Sequence, residues 1–380
     1  MDRVAPEPGP PGLMFGTYFL PRDLHPAAWW VWALGLATAA SRTTNPWLLG
    51  LIIAVACLVV VARRGEAPWA LAFRLYLVLA GFIVTMRVVF RVIFGGAEGS
   101  TIILRLPEIP LPAWAAGIRL FGAVSAESVL GGFYDGLRLA TMVVCLGAAN
   151  ALANPKRLLK AMPAALYEVG TAVTVALSVF PQLAESVQRV RQARKLRGGT
   201  GKGVRALRGI VIPVLADALD RSLLLAASMD SRGYGRAGVA TTRARAATGA
   251  LMVVGLLGVC VGVYATLDGS TPRYLATPVL VAGLAVAVAG FRAAGRRVHR
   301  SRYRPDRWQL AEVVVAASGV AVAVVMFGTS RVDPTNLNPS LITLSWPLLS
   351  WPPLLGVLAG VVPALLAPPP VLATPEEVPA

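Results

Sequence analysis

Long apolar stretches separated by short polar ones dominate the hydrophobic pattern of the chain. They fall into two groups, one on each side of a long amphipathic segment. The apolar stretches are residues 27–40, 47–62, 69–94, 137–153, 247–267, 274–291, 308–327 and 346–366. Stretches of this length and composition are typical of helices that cross a lipid bilayer. The pattern therefore predicts an all-α, polytopic membrane protein with roughly 6–8 transmembrane helices.

The amphipathic segment, residues 154–240, contains one stretch that is apolar enough to span a membrane, Ala165–Ala184. A span there would place Arg189–Arg208, which has eight Lys and Arg residues and no acid, outside the cell. Short basic loops instead collect on the cytoplasmic side of membrane proteins. We therefore predict two long amphipathic helices that lie at the cytoplasmic face of the membrane.

Apolar stripes and charged pairs recur at helical spacing along both of these helices. The stripe of the first helix contains Leu183, Val187, Val190 and Ala193, and that of the second contains Leu207, Ile210, Val211, Val214, Leu215 and Ala218. Glu185 and Arg189 are spaced to form an ion pair across one turn, as are Asp217 and Arg221. Asp217, Asp220 and Arg221 in one segment make a bilayer span costly.

These patterns divide the chain into five segments. They are a disordered N-terminal tail (1–24), an N-terminal transmembrane region (25–153), the cytoplasmic-face helices (154–240), a C-terminal transmembrane region (241–367) and a disordered tail (368–380). The first transmembrane region has about four spans and a predicted extracellular loop at 95–135, in which Thr101–Leu106 looks like a strand. A short basic helix is expected at Lys156–Lys160.

The chain is strongly basic, with 36 Lys and Arg residues against 19 Asp and Glu residues and a formal net charge of +17. Such a charge is also found in proteins that bind nucleic acid. Here the basic residues lie between apolar stretches, in a chain that is 56% hydrophobic. The positive-inside rule accounts for that arrangement. We therefore expect a multi-pass protein of the plasma membrane whose surroundings are the lipid bilayer, and no nucleic-acid partner.

The sequence offers few residues for metal binding or catalysis. Cys57, Cys145 and Cys260 lie far apart inside apolar stretches, and His25 and His299 are isolated. These spacings do not match a metal site. Acids and histidines are also not clustered as an active site would require. We expect no bound metal, no cofactor and no catalytic residues.

Each amphipathic helix ends in a short sequence with a central arginine. Ala193-Arg194-Lys195 ends the first helix, and Ser231-Arg232-Gly233 ends the second. These endings resemble the coupling helices of the transmembrane T component of energy-coupling factor (ECF) ABC importers, the EcfT/CbiQ family, which carries two Ala-Arg-Gly signatures. The sequences LHPAAWWVWALGLA, TNPWLLGL and NPKRLLKAMPAALYEVGTAVTVALSVFPQL resemble the family's opening spans and its entry into the first coupling helix. The resemblance covers roughly residues 24–240.

The resemblance implies that Arg194 and Arg232 each bind acidic residues on one of two cytosolic ABC ATPase subunits. Lys195 stands where the family usually has Gly, and Ser231 stands where it usually has Ala. The resemblance also implies that apolar faces of the two helices support a small membrane S component, which selects a vitamin or metal ion. The candidate residues for that face are Leu183, Val187, Val190, Leu207, Val211 and Val214.

Two other functions remain open from the residues alone. An independent secondary transporter would need ionisable residues within its spans and inverted repeats. Arg87 and Arg91 are the only candidates for such residues, and near a helix end they would snorkel towards the membrane surface. A membrane-embedded lipid-modifying enzyme would need clustered His, Asp or Glu. The sequence does not identify the cargo, and it does not show whether residues 346–366 cross the bilayer.

Overall fold

The computed structural model of the chain describes residues 21–65, 71–94, 101–107, 109–110, 119–198, 204–233, 242–268, 272–296, 306, 308–341 and 346–370. These residues are mostly helical, which confirms the all-α prediction. The chain divides into two compact units. Unit 1 comprises residues 1–158 and 306–380, and unit 2 comprises residues 159–305.

The described part of the chain contains long helices and a small β-ribbon. In chain order the helices are α1 (Pro26–Ser41), α2 (Pro46–Arg63), α3 (Phe73–Ile93), α4 (Ala126–Leu152), α5 (Pro155–Lys160), α6 (Tyr167–Leu196), α7 (Val204–Ser231), α8 (Thr242–Leu267), α9 (Arg273–Gly295), α10 (Leu310–Val332), α11 (Pro334–Leu337), α12 (Trp351–Ala359) and α13 (Val362–Leu366). The strands are β1 (Ile102–Arg105), β2 (Ile109–Pro110), β3 (Arg119–Leu120) and β4 (Ala123–Ser125).

Six of these helices are long and apolar enough to cross a membrane, namely α2, α3, α4, α8, α9 and α10. The polytopic prediction is thereby confirmed. Helices α6 and α7 are not among the six. Their position at the cytoplasmic face remains a prediction. Helix α1, with 16 residues, is about 24 Å long, which is short for a bilayer of about 30 Å.

Helix starts in unit 1 are fixed by side chains that accept hydrogen bonds from unpaired backbone N–H groups. His25 caps α1 through Nδ1, and Asn45 caps α2 through its side-chain oxygen. Ser125 caps α4, because its Oγ accepts a hydrogen bond from the backbone N–H of Ser128. Gln309 and Glu312 form a capping box at the start of α10. Such caps specify where a helix begins.

The core of unit 1 is built where α1 packs against α10. Trp32 and Leu36 of α1 are fully buried. Gly35 of α1 faces Gly319 of α10, and a Cβ on either glycine would overlap the backbone of the opposite helix. Glycine here permits a close approach of two backbones. The C-terminal helix α10 is therefore part of the same core as the first helix.

Three arginines mark one end of unit 1, which we call the basic end. Arg22 makes two hydrogen bonds to the buried carboxylate of Glu312, at 3.0 and 3.2 Å. Arg157 lies 3.0 Å from an Asp306 oxygen. Arg63 donates to the carbonyl of Ala364 at 2.8 Å. Because basic residues favour the cytoplasmic side, we expect the basic end to face the cytoplasm.

The last apolar segment of the chain runs from the opposite end of unit 1 to the basic end. Asn45 donates to the carbonyl of Leu348 at 2.9 Å, which places the start of the segment beside the α1–α2 turn. The contact of Ala364 with Arg63 places its other end. Two short helices, α12 and α13, replace a single span, and the indole N–H of Trp32 donates to the carbonyl of Gly360 at their break.

The predicted strand at Thr101–Leu106 is confirmed. Strand β1 pairs with β4, and β2 pairs with β3, both antiparallel. The predicted loop 95–135 is too long at its end, however, because α4 already begins at Ala126. The Ser125 cap fixes this earlier start.

Both predicted tails are also too long. In the N-terminal tail, Leu24 is buried and Arg22 pairs with Glu312. In the C-terminal tail, the carbonyl of Pro369 accepts a hydrogen bond from the Arg22 backbone at 3.1 Å. Residues 21–24 and 368–370 therefore belong to unit 1, while residues 1–20 and 371–380 lie outside the described residues.

In unit 2, α8 and α9 pack as an antiparallel pair through small residues. A Cβ on Gly258 would lie 2.8 Å from the Cα of Gly283, and one on Gly262 would lie 2.7 Å from the Cβ of Leu280. The GxxxG pattern formed by Gly258 and Gly262 thus serves helix packing. The short basic helix expected at Lys156–Lys160 is present as α5.

Candidate functional site

Helices α6 and α7 of unit 2 are joined by polar side chains. The Asp217 carboxylate of α7 accepts a hydrogen bond from Ser186 Oγ of α6 at 2.6 Å. It also lies 3.4 Å from an Arg189 nitrogen and accepts a hydrogen bond from Arg221 Nε at 3.1 Å. We call Ser186, Arg189, Asp217 and Arg221 the Asp217 cluster. It links the two helices near the middle of each.

The hydrogen bond from Ser186 is the main reason why the pKa of Asp217 is lowered from its ordinary value. Arg221 and Arg189 lower the pKa further, and partial desolvation opposes them. A carboxylate that accepts several hydrogen bonds and faces two guanidinium groups is stabilised in its charged form. Asp217 is therefore ionised at neutral pH.

The polar contacts define a single antiparallel register for the two helices. Arg221 Nη1 donates to the Gln182 side-chain oxygen at 3.4 Å, one turn beyond the contact between Ser186 and Asp217. Each four-residue step forward on α6 is matched by a four-residue step back on α7, as helical spacing requires. Only one of the two sequence-predicted ion pairs forms. Asp217 pairs with Arg221, as predicted. Arg189 pairs with Asp217 instead of Glu185, because α7 brings the Asp217 carboxylate close to it.

The large apolar side chains of this helix pair are mostly on its outside. The exposed ones are Val169, Val173, Leu177, Phe180, Leu196, Leu207, Val211, Ile212, Leu215, Leu219, Leu223 and Leu224. Between the helices, Ser186 and Val214 are buried. A helix pair that carries so many exposed large apolar side chains differs from a soluble helical hairpin, whose outer surface is mainly polar.

The six residues predicted to face an S component differ in how exposed they are. Leu207 and Val211 are exposed on α7. Leu183, Val187 and Val190 are half-buried on α6. Val214 is 8% exposed, so it offers almost no surface to a partner. An apolar stripe read from one helix at a time does not distinguish the side that faces the second helix.

The two predicted signatures lie at the C-terminal ends of α6 and α7, and each is followed by a glycine in the left-handed region. The φ angles are +72° at Gly198 and +76° at Gly233. Such a residue ends a helix, and glycine adopts the conformation without strain. Gly233 therefore ends α7. The cap of α6 is Gly198.

The two arginines differ in their surroundings. Arg194 lies within the last turn of α6 and is half-buried. Its neighbours Ala193 and Lys195 are exposed. A Cβ on Gly209 of α7 would lie 3.1 Å from the Arg194 Cζ and Nη1 atoms, so the guanidinium rests against that glycine. Arg232 follows the last helical residue, Ser231, and is exposed.

One residue of this site was not predicted from the sequence. Gly209 was not singled out, although it lies the same number of residues from Asp217 as Arg194 lies from Ser186. Aligning the two helices in opposite directions on Ser186 and Asp217 would have found it. Within the described residues, no group of three or more His, Cys, Asp or Glu residues is placed to hold a metal ion.

The fold, with six helices long and apolar enough to cross a membrane, defines a multi-pass helical protein of the plasma membrane. Residues 19–242 match the CbiQ family, described as cobalt transport protein. That match covers more than half of the 380 residues. The chain therefore belongs to the CbiQ cobalt transport protein family and is a component of a transport system. No curated protein matches the chain.

Proposed function

We propose that this protein is the transmembrane energy-coupling component of an ECF-type ABC importer. It transmits the ATP-driven motion of two cytosolic ATPase subunits to a membrane S component, which takes up a vitamin or metal ion. The observation that carries the proposal is the α6–α7 pair, in which polar groups face inwards, leucines face outwards and an arginine stands at each end. A helix pair of this kind needs partners on its apolar surface.

Each arginine is suited to bind one ATPase subunit. A guanidinium presents a planar fork of donors that fits a carboxylate bidentately. Arg194 and Arg232 each stand at the C-terminal end of a long helix, where the helix dipole favours a cation. Two such ends on one rigid pair give two attachment points. That number fits two ATPase subunits.

The S component is expected to bind the outer apolar surface of α7. Leu207, Val211, Leu215, Leu219 and Leu223 are each between 40% and 62% exposed, and their four-residue spacing places them along one side of α7. Covering apolar surface contributes about 25 cal/mol per Å². We therefore leave Val214 out of this surface and retain Leu207 and Val211 from the predicted set.

An independent secondary transporter gains little support from the same features. Such transporters bind substrates at broken helices whose freed backbone groups face the substrate. The chain has a broken segment between α12 and α13, but the Gly360 carbonyl at the break accepts a hydrogen bond from Trp32. Arg87 and Arg91 are exposed and their stems pack against Gly136 and Gly132 of α4. A lipid-modifying enzyme has no supporting cluster in the described part of the chain.

Affinity purification in mild detergent tests the proposal. The double substitution Arg194→Glu plus Arg232→Glu should abolish co-purification of ATPase subunits and uptake. Either single change should be milder, since the loss of one buried ion-pair partner costs about 3–5 kcal/mol. The matched control is Arg191→Glu plus Arg243→Glu, which makes the same charge change at two exposed arginines.

Retention of ATPases by the double variant would contradict the proposal. So would an equal loss in the control, because the effect would then follow from net charge. If the wild-type protein brings down no ATPase in mild detergent, the protein is not a coupling component.

A further inference from the structure

We infer that helix α7 positions Arg194, the arginine at the end of α6. The positioning residues on α7 are Gly209 and Asp217. The inference rests on the proposed function for its consequence, but its geometry stands by itself. Gly209 provides the surface on which the Arg194 guanidinium rests. The Asp217 cluster fixes the register that brings Gly209 and Arg194 together.

The contact at Gly209 depends on the absence of a side chain. A Cβ there would lie 3.1 Å from Arg194 Cζ and Nη1 and 3.5 Å from Nη2. The first two distances are shorter than ordinary carbon contacts of about 3.5–4.0 Å. Any larger residue at this position must therefore push the guanidinium away. Nothing in helix propensity favours glycine within α7, since Gly weakens a helix interior.

The Asp217 cluster acts at a distance from this contact, along the same two helices. Gly209 and Asp217 are two turns apart on α7, and Ser186 and Arg194 are two turns apart on α6. A shift of the register by one turn would move Gly209 about 5.4 Å along Arg194. A paired charge between helices is a known device for fixing register. The cluster thus determines whether Arg194 meets Gly209.

Arg232 has no comparable support from α6 among the described contacts. It is exposed and follows the last residue of α7. The two ends are therefore unequal: one arginine is held by the neighbouring helix, and the other depends on its own helix end. We infer that the ATPase subunit bound at Arg194 is coupled to both helices, whereas the one at Arg232 is coupled mainly to α7.

Chemical modification of arginines tests the contact itself. Purified protein without ATPases is treated with phenylglyoxal, which reacts with accessible guanidinium groups, and each arginine is followed by mass spectrometry. In the wild type, Arg194 should react several-fold more slowly than Arg232. Gly209→Leu should raise the Arg194 rate to near that of Arg232 and leave the Arg232 rate unchanged. Asp217→Asn should raise the Arg194 rate to a smaller extent.

The matched control is Gly249→Ala on α8, where a Cβ would meet nothing within 4 Å. It should change neither rate. If Gly209→Leu leaves the Arg194 rate unchanged, the contact does not exist in solution and the inference is overturned. This result does not depend on whether ATPases bind.

The ratio of cargo uptake to ATP hydrolysis tests the consequence. In the purified importer reconstituted in vesicles, Gly209→Leu should lower this ratio several-fold while ATPase subunits still co-purify. An unchanged or higher ratio, with altered labelling of Arg194, would show that the contact is incidental and would overturn the positioning role. Failure of the proposed function is seen separately, as absence of ATPases from the wild-type preparation.

Discussion

The α1–α10 contact of unit 1 and the α6–α7 pair of unit 2 are held together in different ways. In unit 1, Trp32 and Leu36 are fully buried beside two glycines that face each other. In the α6–α7 pair, Ser186 and Asp217 lie between the helices while Leu219 and Leu224 are exposed. Apolar burial and close packing stabilise the first contact within the chain. The second leaves apolar side chains exposed, which under the proposed function are covered by partner subunits.

Under the proposed function, this contrast separates residues that hold the protein together from residues that bind partner subunits. Substitutions in unit 1 should lower the stability of the purified protein. Equivalent substitutions on α6 and α7 should leave that stability nearly unchanged and act on assembly. The variants below are ordered by the size of the effect expected.

Replacement of Gly319 should have the largest effect. A Cβ at this position would overlap the Trp32 backbone, and neither helix backbone can give way cheaply. Gly319→Val should therefore yield little or no folded, monodisperse protein by size-exclusion chromatography in detergent. The control is Gly328→Ala on the same helix, where nothing lies within 4 Å. Normal yield from Gly319→Val would refute the close packing of α1 on α10.

Removal of the Glu312 carboxylate should have the next largest effect. The side chain is 2% exposed and is paired with Arg22, which Glu312→Ala would leave without its partner. Breaking a buried ion pair costs about 3–5 kcal/mol, and the partial exposure of Arg22 favours the lower figure. Thermal unfolding followed by tryptophan fluorescence measures the loss.

Asp306→Ala is the comparison at the same basic end. Its carboxylate is 36% exposed, so its pair with Arg157 should contribute only about 0–1 kcal/mol. An equal loss of stability from both variants would contradict the distinction between buried and exposed pairs in unit 1.

A pair of leucine substitutions compares the two regions directly. Leu49 on α2 is fully buried, and Leu219 on α7 is 60% exposed. Leu49→Ala should destabilise the isolated protein by about 2–5 kcal/mol. Leu219→Ala should change its stability by no more than about 0.5 kcal/mol. In the assembled importer, Leu219→Ala should instead weaken retention of the S component. Equal destabilisation of the isolated protein by both would place Leu219 in a core.

The acid response of the Asp217 cluster should be the smallest effect. The folded-state pKa of Asp217 lies below the unfolded value, so its ion pairs contribute stability above the unfolded pKa and lose it as pH falls through the folded pKa. Because Asp217 stays ionised between about pH 6 and 8, the effect of Asp217→Asn on the Arg194 labelling rate should be the same throughout that range. Melting temperature should fall more steeply in acid for the wild type than for Asp217→Asn. Identical acid profiles would show that the cluster carries no such linkage.

The helices themselves were largely predictable from the sequence, because spans and amphipathic helices have characteristic hydrophobic periods. The boundaries were less so. The start of α4 at Ala126 depends on the cap at Ser125, and the tail residue Arg22 is ordered by Glu312, 290 residues away. Such distant pairings are not encoded in local patterns. The break between α12 and α13, by contrast, is marked by a local signal, Pro363 at the start of α13.

The candidate site was predictable in its two arginines but not in their difference. A sequence motif identifies Arg194 and Arg232 equally. Only the packing of α6 on α7 places one arginine against Gly209 and leaves the other exposed. The same packing turns Arg189 from Glu185 to Asp217 and buries Val214. Contacts between two helices decide each of these points, and the pattern of one helix does not contain them.

The side of the membrane on which the arginine ends lie is the claim on which the account depends. A Ser231→Cys variant, in a chain with Cys57, Cys145 and Cys260 replaced by alanine, can be labelled with a membrane-impermeant maleimide. We predict rapid labelling in inverted vesicles, where the cytoplasmic face is outside, and almost none in right-side-out vesicles. Rapid labelling in right-side-out vesicles would place α7 outside the cell and contradict the coupling role.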